Sequence, residues 1–262
     1  MTSAKEHSTV TRKPLRRLAA LAVPCLLLLS GLTACETQTG VAAFVGSTRI
    51  TESHLRAVVD EALKQKAIAQ KVGTNVAAYR QAILSRLVKH VLIASAAGKL
   101  HLSASTGDVD KRVDDLLHPA NQPAGTMAQL DAAFVTAVQL PPSELRPFLR
   151  DQVLMDKIGQ RLTAGAPFTD AQLQKFYDEH GGPASGQTLE QVKPQVIAAL
   201  TDGVVQVYVT SSTSHLRLKV NPRFGRFERS KIFAPTGAIV SPPDELVRDT
   251  APSPKVTPSP SA

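Results

Sequence analysis

A chain of 262 residues has room for one or two domains, and 43% hydrophobic residues suffice for a packed core. Aromatic residues make up only 4% and tryptophan is absent, so the core has to come from Ala, Leu, Val and Ile. This composition suits packed helices better than a β-sandwich. The net charge of +8 falls to +4 once residues 1–34, a predicted cleavable segment, are removed. Such a mild charge argues against a nucleic-acid partner.

The first 34 residues are arranged like an export signal. Basic residues from Arg12 to Arg17 precede an apolar run from Leu18 to Leu29, and Leu32-Thr33-Ala34 then leads directly to Cys35. The alternative is an uncleaved transmembrane anchor. The apolar run spans about 18 Å as a helix, short of a hydrocarbon core of roughly 30 Å. A helix that continued to Ala34 would come closer to this thickness. We predict cleavage before Cys35.

The Leu-Thr-Ala-Cys sequence resembles the lipobox of bacterial lipoproteins. This resemblance implies a diacylglyceryl thioether on Cys35, and two acyl chains give stable anchoring where one gives only marginal binding. The protein is then expected on the extracytoplasmic face of the cell membrane. Cys25 leaves with the signal and Cys35 carries the lipid, so no thiol remains for a disulfide, a metal or nucleophilic chemistry.

The part of the chain after Cys35 has a mainly helical pattern. Residues 35–40 are predicted to be a polar tether to a strand at 41–45, after which Gly46-Ser47 permits a reversal and Thr51 caps a helix. The apolar face predicted for the last helix, at about 189–211, includes Val204 and Val207. Apolar residues recur at helical spacing in about 51–71, 75–97, 105–117, 127–138, 143–162, 169–180 and 189–211, with Ser143 as the predicted cap of the fifth.

The two ends of this helical stretch are expected to meet. A lone strand at 41–45 needs a partner for its backbone groups, and the next β-like run is at 214–220. We therefore predict a mostly α fold in which these strands pair and clamp the helices. The helical domain is predicted to cover 41–230. Residues 231–262 are predicted to be a disordered tail rich in Pro and Ser.

A family resemblance rests on motifs at both ends. Residues 45–55 fit V-G-x-x-x-I-T-E-x-x-L, and 220–225 read V-N-P-R-F-G. They resemble the opening and closing strands of the SurA/PrsA-type chaperone domain. In that family a helix like Thr169–Tyr177 leads into a parvulin prolyl-isomerase domain of about a hundred residues. Here only Gly181–Gln187 precede a segment, Thr188–Lys193, that resembles the helix after that domain. The resemblance therefore implies that the isomerase is absent.

Residues that could carry chemistry are scattered. The chain has seven histidines, no two of which have the spacing for metal ligation on one helix face, and no G-x-S-x-G elbow is present. We assign no catalytic, cofactor or metal-binding residue; Cys35 is the only predicted site, for lipidation. A basic run is interpreted as a solvated face, with anionic headgroups or wall polymer as the alternative contact; it contains Arg217, Lys219, Arg223, Arg226, Arg229 and Lys231.

The resemblance implies a membrane-anchored, ATP-independent chaperone for unfolded, newly exported proteins. Exposed apolar side chains on the helices would contact such clients, but the sequence does not separate them from core positions. Two alternatives remain open at this point. One is a foldase related to prolyl isomerases, and the other is a lipoprotein dedicated to one partner in envelope assembly.

Overall fold

The computed structural model describes residues 40–120, 123–182 and 186–240. The predicted signal segment and Cys35 lie outside these ranges. The predicted mostly α class is confirmed, and within the described ranges no helix has the length and hydropathy to span a membrane. The helices are α1 Glu52–Lys64, α2 Lys66–Val72, α3 Val76–Lys99, α4 Thr106–Leu117, α5 Met127–Val138, α6 Leu145–Thr163, α7 Asp170–Glu179 and α8 Leu189–Ser212. The strands are β1 Val41–Val45, β2 Thr48–Thr51, β3 Leu218–Val220, β4 Arg226–Phe227 and β5 Ile239–Val240.

The two ends of the helical stretch pair as predicted. β1 lies antiparallel to β3, with Ala43 opposite Val220 and Val45 opposite Leu218. Asn221 secures the junction, because its backbone N–H donates to the carbonyl of Ala42 at 2.9 Å and its side-chain amide donates to the carbonyl of Val41 at 3.1 Å. β3 is shorter than the predicted strand at 214–220, since the chain is still turning out of α8 before Leu218.

The prediction that β1 has no nearby partner is wrong. Residues 48–51 form β2, which pairs antiparallel with β1, so the sheet order is β2-β1-β3. Gly46 makes the reversal possible because its φ of +59° is strained for any residue with a Cβ. β-Branched Thr48, Ile50 and Thr51 favour a strand over an immediate helix. Thr51 also caps α1, as predicted, with its hydroxyl accepting from the His54 N–H at 3.1 Å.

α3 is the central helix, as its wide apolar stripe predicts. It packs against α1, α6, α8 and β1. Its inward side chains are almost inaccessible to solvent, and they include Ile83, Leu84, Val88, Leu92, Ile93, Ala96 and Ala97. Burial of each such Val, Leu or Ile contributes roughly 1.5–3 kcal/mol, so α3 accounts for a large part of the stability of the body.

Two predicted helix starts and ends need correction. The helix predicted at 51–71 is broken at Gln65, whose backbone is extended, and the break lets Ile68 of α2 turn into the core. Ser143 is not a helix cap. It lies in a 3-10 turn, Pro142–Glu144, and its hydroxyl donates to Glu61 at 2.8 Å instead of accepting from a backbone N–H at the start of α6. Pro141 has an extended backbone, because it is followed by a second proline, and the 3-10 turn then leads into α6.

The packed body continues beyond the predicted boundary at residue 230. β4 pairs antiparallel with β5, and Ile232, Ala238 and Ile239 are buried against the helices. The Ile239 N–H donates to the Ser85 hydroxyl of α3 at 2.8 Å. The apolar residues around Pro235 thus cover one side of α3. Their burial keeps this segment packed on the body even though it contains a proline. The rest of the predicted tail, 241–262, lies outside the described residues.

Candidate functional site

A second, smaller apolar cluster lies apart from the main core. It joins α7 to residues 189–200 of α8, and we call these two segments the arm. The buried side chains in the arm are Leu173, Tyr177 and Val196, surrounded by the half-buried Phe168, Phe176, Leu189, Val192 and Leu200. α7 begins with a capping box. The Thr169 hydroxyl accepts from the Gln172 N–H, and the Gln172 side chain accepts from the Thr169 N–H.

α8 belongs to both clusters. Its second half packs into the main core through Val205 and Val209, while its first half packs against α7 through Val196. At 24 residues the helix is about 36 Å long, long enough to contact the body at one end and carry the arm at the other. The apolar side chains of α8 therefore cannot all face one core.

An apolar cavity lies between α7 and α8. It has a volume of about 280 Å³ and is lined by Phe176, Tyr177, His180, Gly181, Gly182, Val192, Gln195, Val196 and Ala199. His180 stacks on Phe176 with ring centroids 3.9 Å apart, so a flat aromatic pair forms part of the lining. The Tyr177 hydroxyl donates to the Gln187 carbonyl, so the polar end of this ring is satisfied and its apolar body is left for packing.

Gly182 keeps the Tyr177 ring in the arm cavity. A Cβ at position 182 would collide with the ring atoms of Tyr177. The Gly182 N–H also donates to the Tyr177 carbonyl at 2.9 Å, which holds the chain against the ring. Any side chain at 182 is therefore expected to displace Tyr177 and change the shape of the cavity.

An apolar row is exposed on the outer face of α8. Ile197, Val204 and Val207 keep 40%, 37% and 70% of their surface accessible. Their spacing of seven and then three residues places them on one face of the helix. We call these three residues the α8 row. A row of exposed apolar side chains on one helix face is typical of a surface that binds another polypeptide.

The arm offers contact surface and no reactive group. Within residues 40–120, 123–182 and 186–240, no three His, Cys, Asp or Glu side chains are placed to hold a metal ion. The lining of the arm cavity has one titratable side chain besides Tyr177, namely His180, and its Nδ1 lies 2.8 Å from the carbonyl of Phe176. Binding of apolar groups is therefore the chemistry that this geometry supports.

A buried polar cluster between α3 and α6 was not predicted. His90 Nδ1 lies 2.6 Å from Asp151 Oδ1, and Arg86 Nη1 lies 3.8 Å from Asp151 Oδ2. The hydrogen bond to Asp151, only 5% exposed, raises the pKa of His90. The sequence signal was an Arg and a His four residues apart on the central helix. This cluster joins two core helices, so we assign it to stability.

The basic run is mostly engaged in internal contacts. Arg223 pairs with Glu52, Arg226 and Lys231 both pair with Glu228, and Arg229 donates to backbone carbonyls of Thr213 and Leu216. The contacts of Arg223 and Arg229 join the closing segment to earlier parts of the chain, a role that the interpretation as a solvated face did not include. Surface pairs of this kind contribute little individually, about 0–1 kcal/mol.

Comparison with known proteins identifies the helical body. The family model described as the SurA-like N-terminal domain matches residues 15–159, more than half of the chain. The chain belongs to this family. No curated protein and no solved structure matches the chain. The SurA-like match covers β1, β2, α1 to α5 and most of α6, and no match to a parvulin domain accompanies it.

Membership of the SurA-like family indicates a chaperone-like role in protein folding. The match ends at residue 159, before α7, α8 and the strands that close the sheet. The arm and the α8 row thus belong to the part of this chain that the family match does not cover. Their properties are argued below from their own geometry.

Proposed function

We propose that this protein is a membrane-anchored, ATP-independent chaperone that binds apolar segments of unfolded exported proteins at its arm. The observation that carries the proposal is the exposed α8 row, on the same helix that lines the arm cavity, in a chain with a SurA-like domain. Apolar contact does not depend on one sequence, because the hydrophobic effect has no preferred direction. A surface of this kind suits many different clients.

The size of the arm cavity implies weak binding at any single point. A volume of about 280 Å³ accommodates one or two apolar side chains, and each contributes roughly 1.5–3 kcal/mol when fully buried. The α8 row adds a second contact along the helix. Binding that sums a few such contacts stays reversible, so a client can leave and fold without the energy of a nucleotide.

The α8 row predicts a specific loss of client binding. Val207→Glu removes the most exposed apolar side chain and places a charge where a client would bury it, so we expect client affinity to fall about tenfold, or 1.4 kcal/mol. Binding of a fluorescently labelled unfolded protein and suppression of its aggregation measure the effect. The control is Ala198→Glu, which adds the same charge at an exposed position of α8 that belongs neither to the α8 row nor to the lining of the arm cavity.

Equal affinity of Val207→Glu and the unchanged protein would refute the assignment of the α8 row to clients. Capture of interacting proteins from the cell envelope provides the second measurement. A spread of unrelated exported proteins supports the chaperone. A single partner in stoichiometric amount would instead support a dedicated assembly lipoprotein.

The anchor is a separate part of the proposal, supported by the signal-like anatomy of residues 1–34 and by Cys35. Lipid attachment needs that thiol, so Cys35→Ala is expected to abolish lipid attachment and to stop cleavage before residue 35. Metabolic labelling with a fatty acid and the mass of the product measure both. Cys25→Ala is the control, because Cys25 leaves with the cleaved segment. Normal labelling and processing of Cys35→Ala would refute the anchor.

A further inference from the structure

A cavity lined by arginines lies between α1, α3 and the turn after β3. Its volume is about 310 Å³, and its lining consists of Glu52, Leu55, Arg56, Arg80, Arg223 and Phe224. Three arginines and one glutamate are among the lining residues, a net charge of +2. We call it the arginine cavity. The arm cavity, by contrast, is lined by apolar groups, so the two differ in the chemistry they can bind.

The carboxylate in the arginine cavity, that of Glu52, is already paired. Glu52 Oε2 lies 2.5 Å from Arg223 Nη2, and Glu52 Oε1 accepts from the Asn221 side-chain amide at 3.2 Å. Among the residues that the structure describes, Arg56 and Arg80 have neither an ion pair nor a hydrogen bond to a side chain or carbonyl. Two positive charges in this cavity therefore have no internal counter-charge.

The unbalanced charge defines the ligand. Arg56, Arg80 and Arg223 are exposed side chains that line one cavity, and an anion bound there is attracted by each of them. Guanidinium groups bind phosphate through paired N–H donors in a fixed fork, which is why arginine is preferred at phosphate sites. The Arg223 guanidinium lies 4.9 Å from the centre of the Phe224 ring, and this contact orients it at the edge of the cavity.

The arginine cavity also lies close to the start of the described chain. The Glu52 N–H donates to the Gly40 carbonyl at 2.9 Å, so Gly40 is fixed beside the cavity. Five peptide bonds separate Cys35 from Gly40, a distance of at most about 17 Å when the chain is fully extended. If Cys35 carries the lipid, as the proposed function holds, this tether keeps the cavity near the phosphates of the membrane surface.

We propose that the arginine cavity binds a phosphate group, and that anionic lipid headgroups are its source. Inorganic phosphate is the probe for the first part. Added at constant ionic strength to the full-length chain, it is expected to raise the melting temperature, because a ligand that binds only the folded state stabilises that state. The rise should disappear in Arg56→Gln/Arg80→Gln.

The control for the phosphate experiment is Arg150→Gln/Arg161→Gln. It removes the same charge from exposed positions on α6, where neither arginine forms an ion pair with a described residue. This variant should keep the full response to phosphate. No rise in the unchanged chain, or an equal rise in Arg56→Gln/Arg80→Gln, would overturn the phosphate site.

The proposed source of the phosphate group, an anionic lipid headgroup, is tested in nanodiscs. The full-length chain is placed in phosphatidylcholine discs with or without phosphatidylglycerol, and its melting temperature is expected to be higher with phosphatidylglycerol, except in Arg56→Gln/Arg80→Gln. A response to inorganic phosphate without a response to phosphatidylglycerol would overturn the lipid source. Cys35→Ala separates the two proposals, because it removes the anchor but should keep the response to inorganic phosphate.

Discussion

Truncation after Leu216 is expected to unfold the body, whereas truncation after Val240 should leave it intact. The shorter chain loses β3, both backbone and side-chain bonds of Asn221, and three buried side chains, Phe224, Ile232 and Ile239. Those side chains alone contribute about 5–9 kcal/mol, close to the whole stability of a typical domain at about 5–15 kcal/mol. Circular dichroism and urea denaturation measure the result.

A truncation after Pro235 gives an intermediate case. It keeps β3 but removes β5, with the buried Ala238 and Ile239 and the bond from Ile239 to Ser85. We expect a loss of about 2–4 kcal/mol, since one large apolar side chain and a buried hydrogen bond are removed. Equal stability of all three truncated chains would show that the ends do not hold the helices together.

Asp151→Ala is expected to lower the free energy of unfolding by about 3 kcal/mol. The change leaves Arg86 without its counter-charge in the interior and removes the hydrogen bond to His90 at 2.6 Å. Breaking a buried pair by removing one member costs more than the pair contributes, because a desolvated charge remains. The control is Asp156→Ala on the same helix, whose exposed pair with Arg112 is worth at most about 1 kcal/mol.

The pH dependence of stability provides a second measurement of the same cluster. Asp151 raises the pKa of His90 above its ordinary value of 6.5, so the folded state binds the proton more tightly than the unfolded state. The stabilisation by this proton is complete below about pH 6.5 and is lost as the pH rises through the raised native pKa. Asp151→Ala should flatten this part of the profile. An unchanged profile would show that His90 and Asp151 do not interact in solution.

The helices were the most predictable part of the fold, because their signals are local. Thr126 caps α5 and Gln129 completes the capping box, so α5 has the predicted bounds, Met127–Val138. The turn at Gly46 was also read correctly, but the strand after it was not, since four residues carry too little periodicity to distinguish strand from helix. The break at Gln65 follows from where Ile68 finds space in the core, which depends on tertiary packing.

The candidate site was less predictable, because it depends on which apolar residues stay outside the core. Val207 belongs to the apolar pattern of α8 and was counted in its core face, yet 70% of its surface is exposed. α8 packs against two different partners along its length, so no single inward face exists for a periodicity to reveal. The pairing of His90 with Asp151 joins residues 61 positions apart, so the sequence around Arg86 and His90 does not identify their partner.

The pairing of β1 with β3 also determines the order in which the protein can finish folding. The Asn221 side chain donates to the Val41 carbonyl across 180 positions of the chain. At a synthesis rate of roughly 5–20 residues per second, β1 waits about 10–40 s for this partner. During that interval the β1–β2 hairpin protects one edge of β1 only, and the other edge presents unpaired backbone groups to any neighbouring chain. A protein with the family features of a folding factor is thus itself open to mispairing until β3 has been made and pairs with β1.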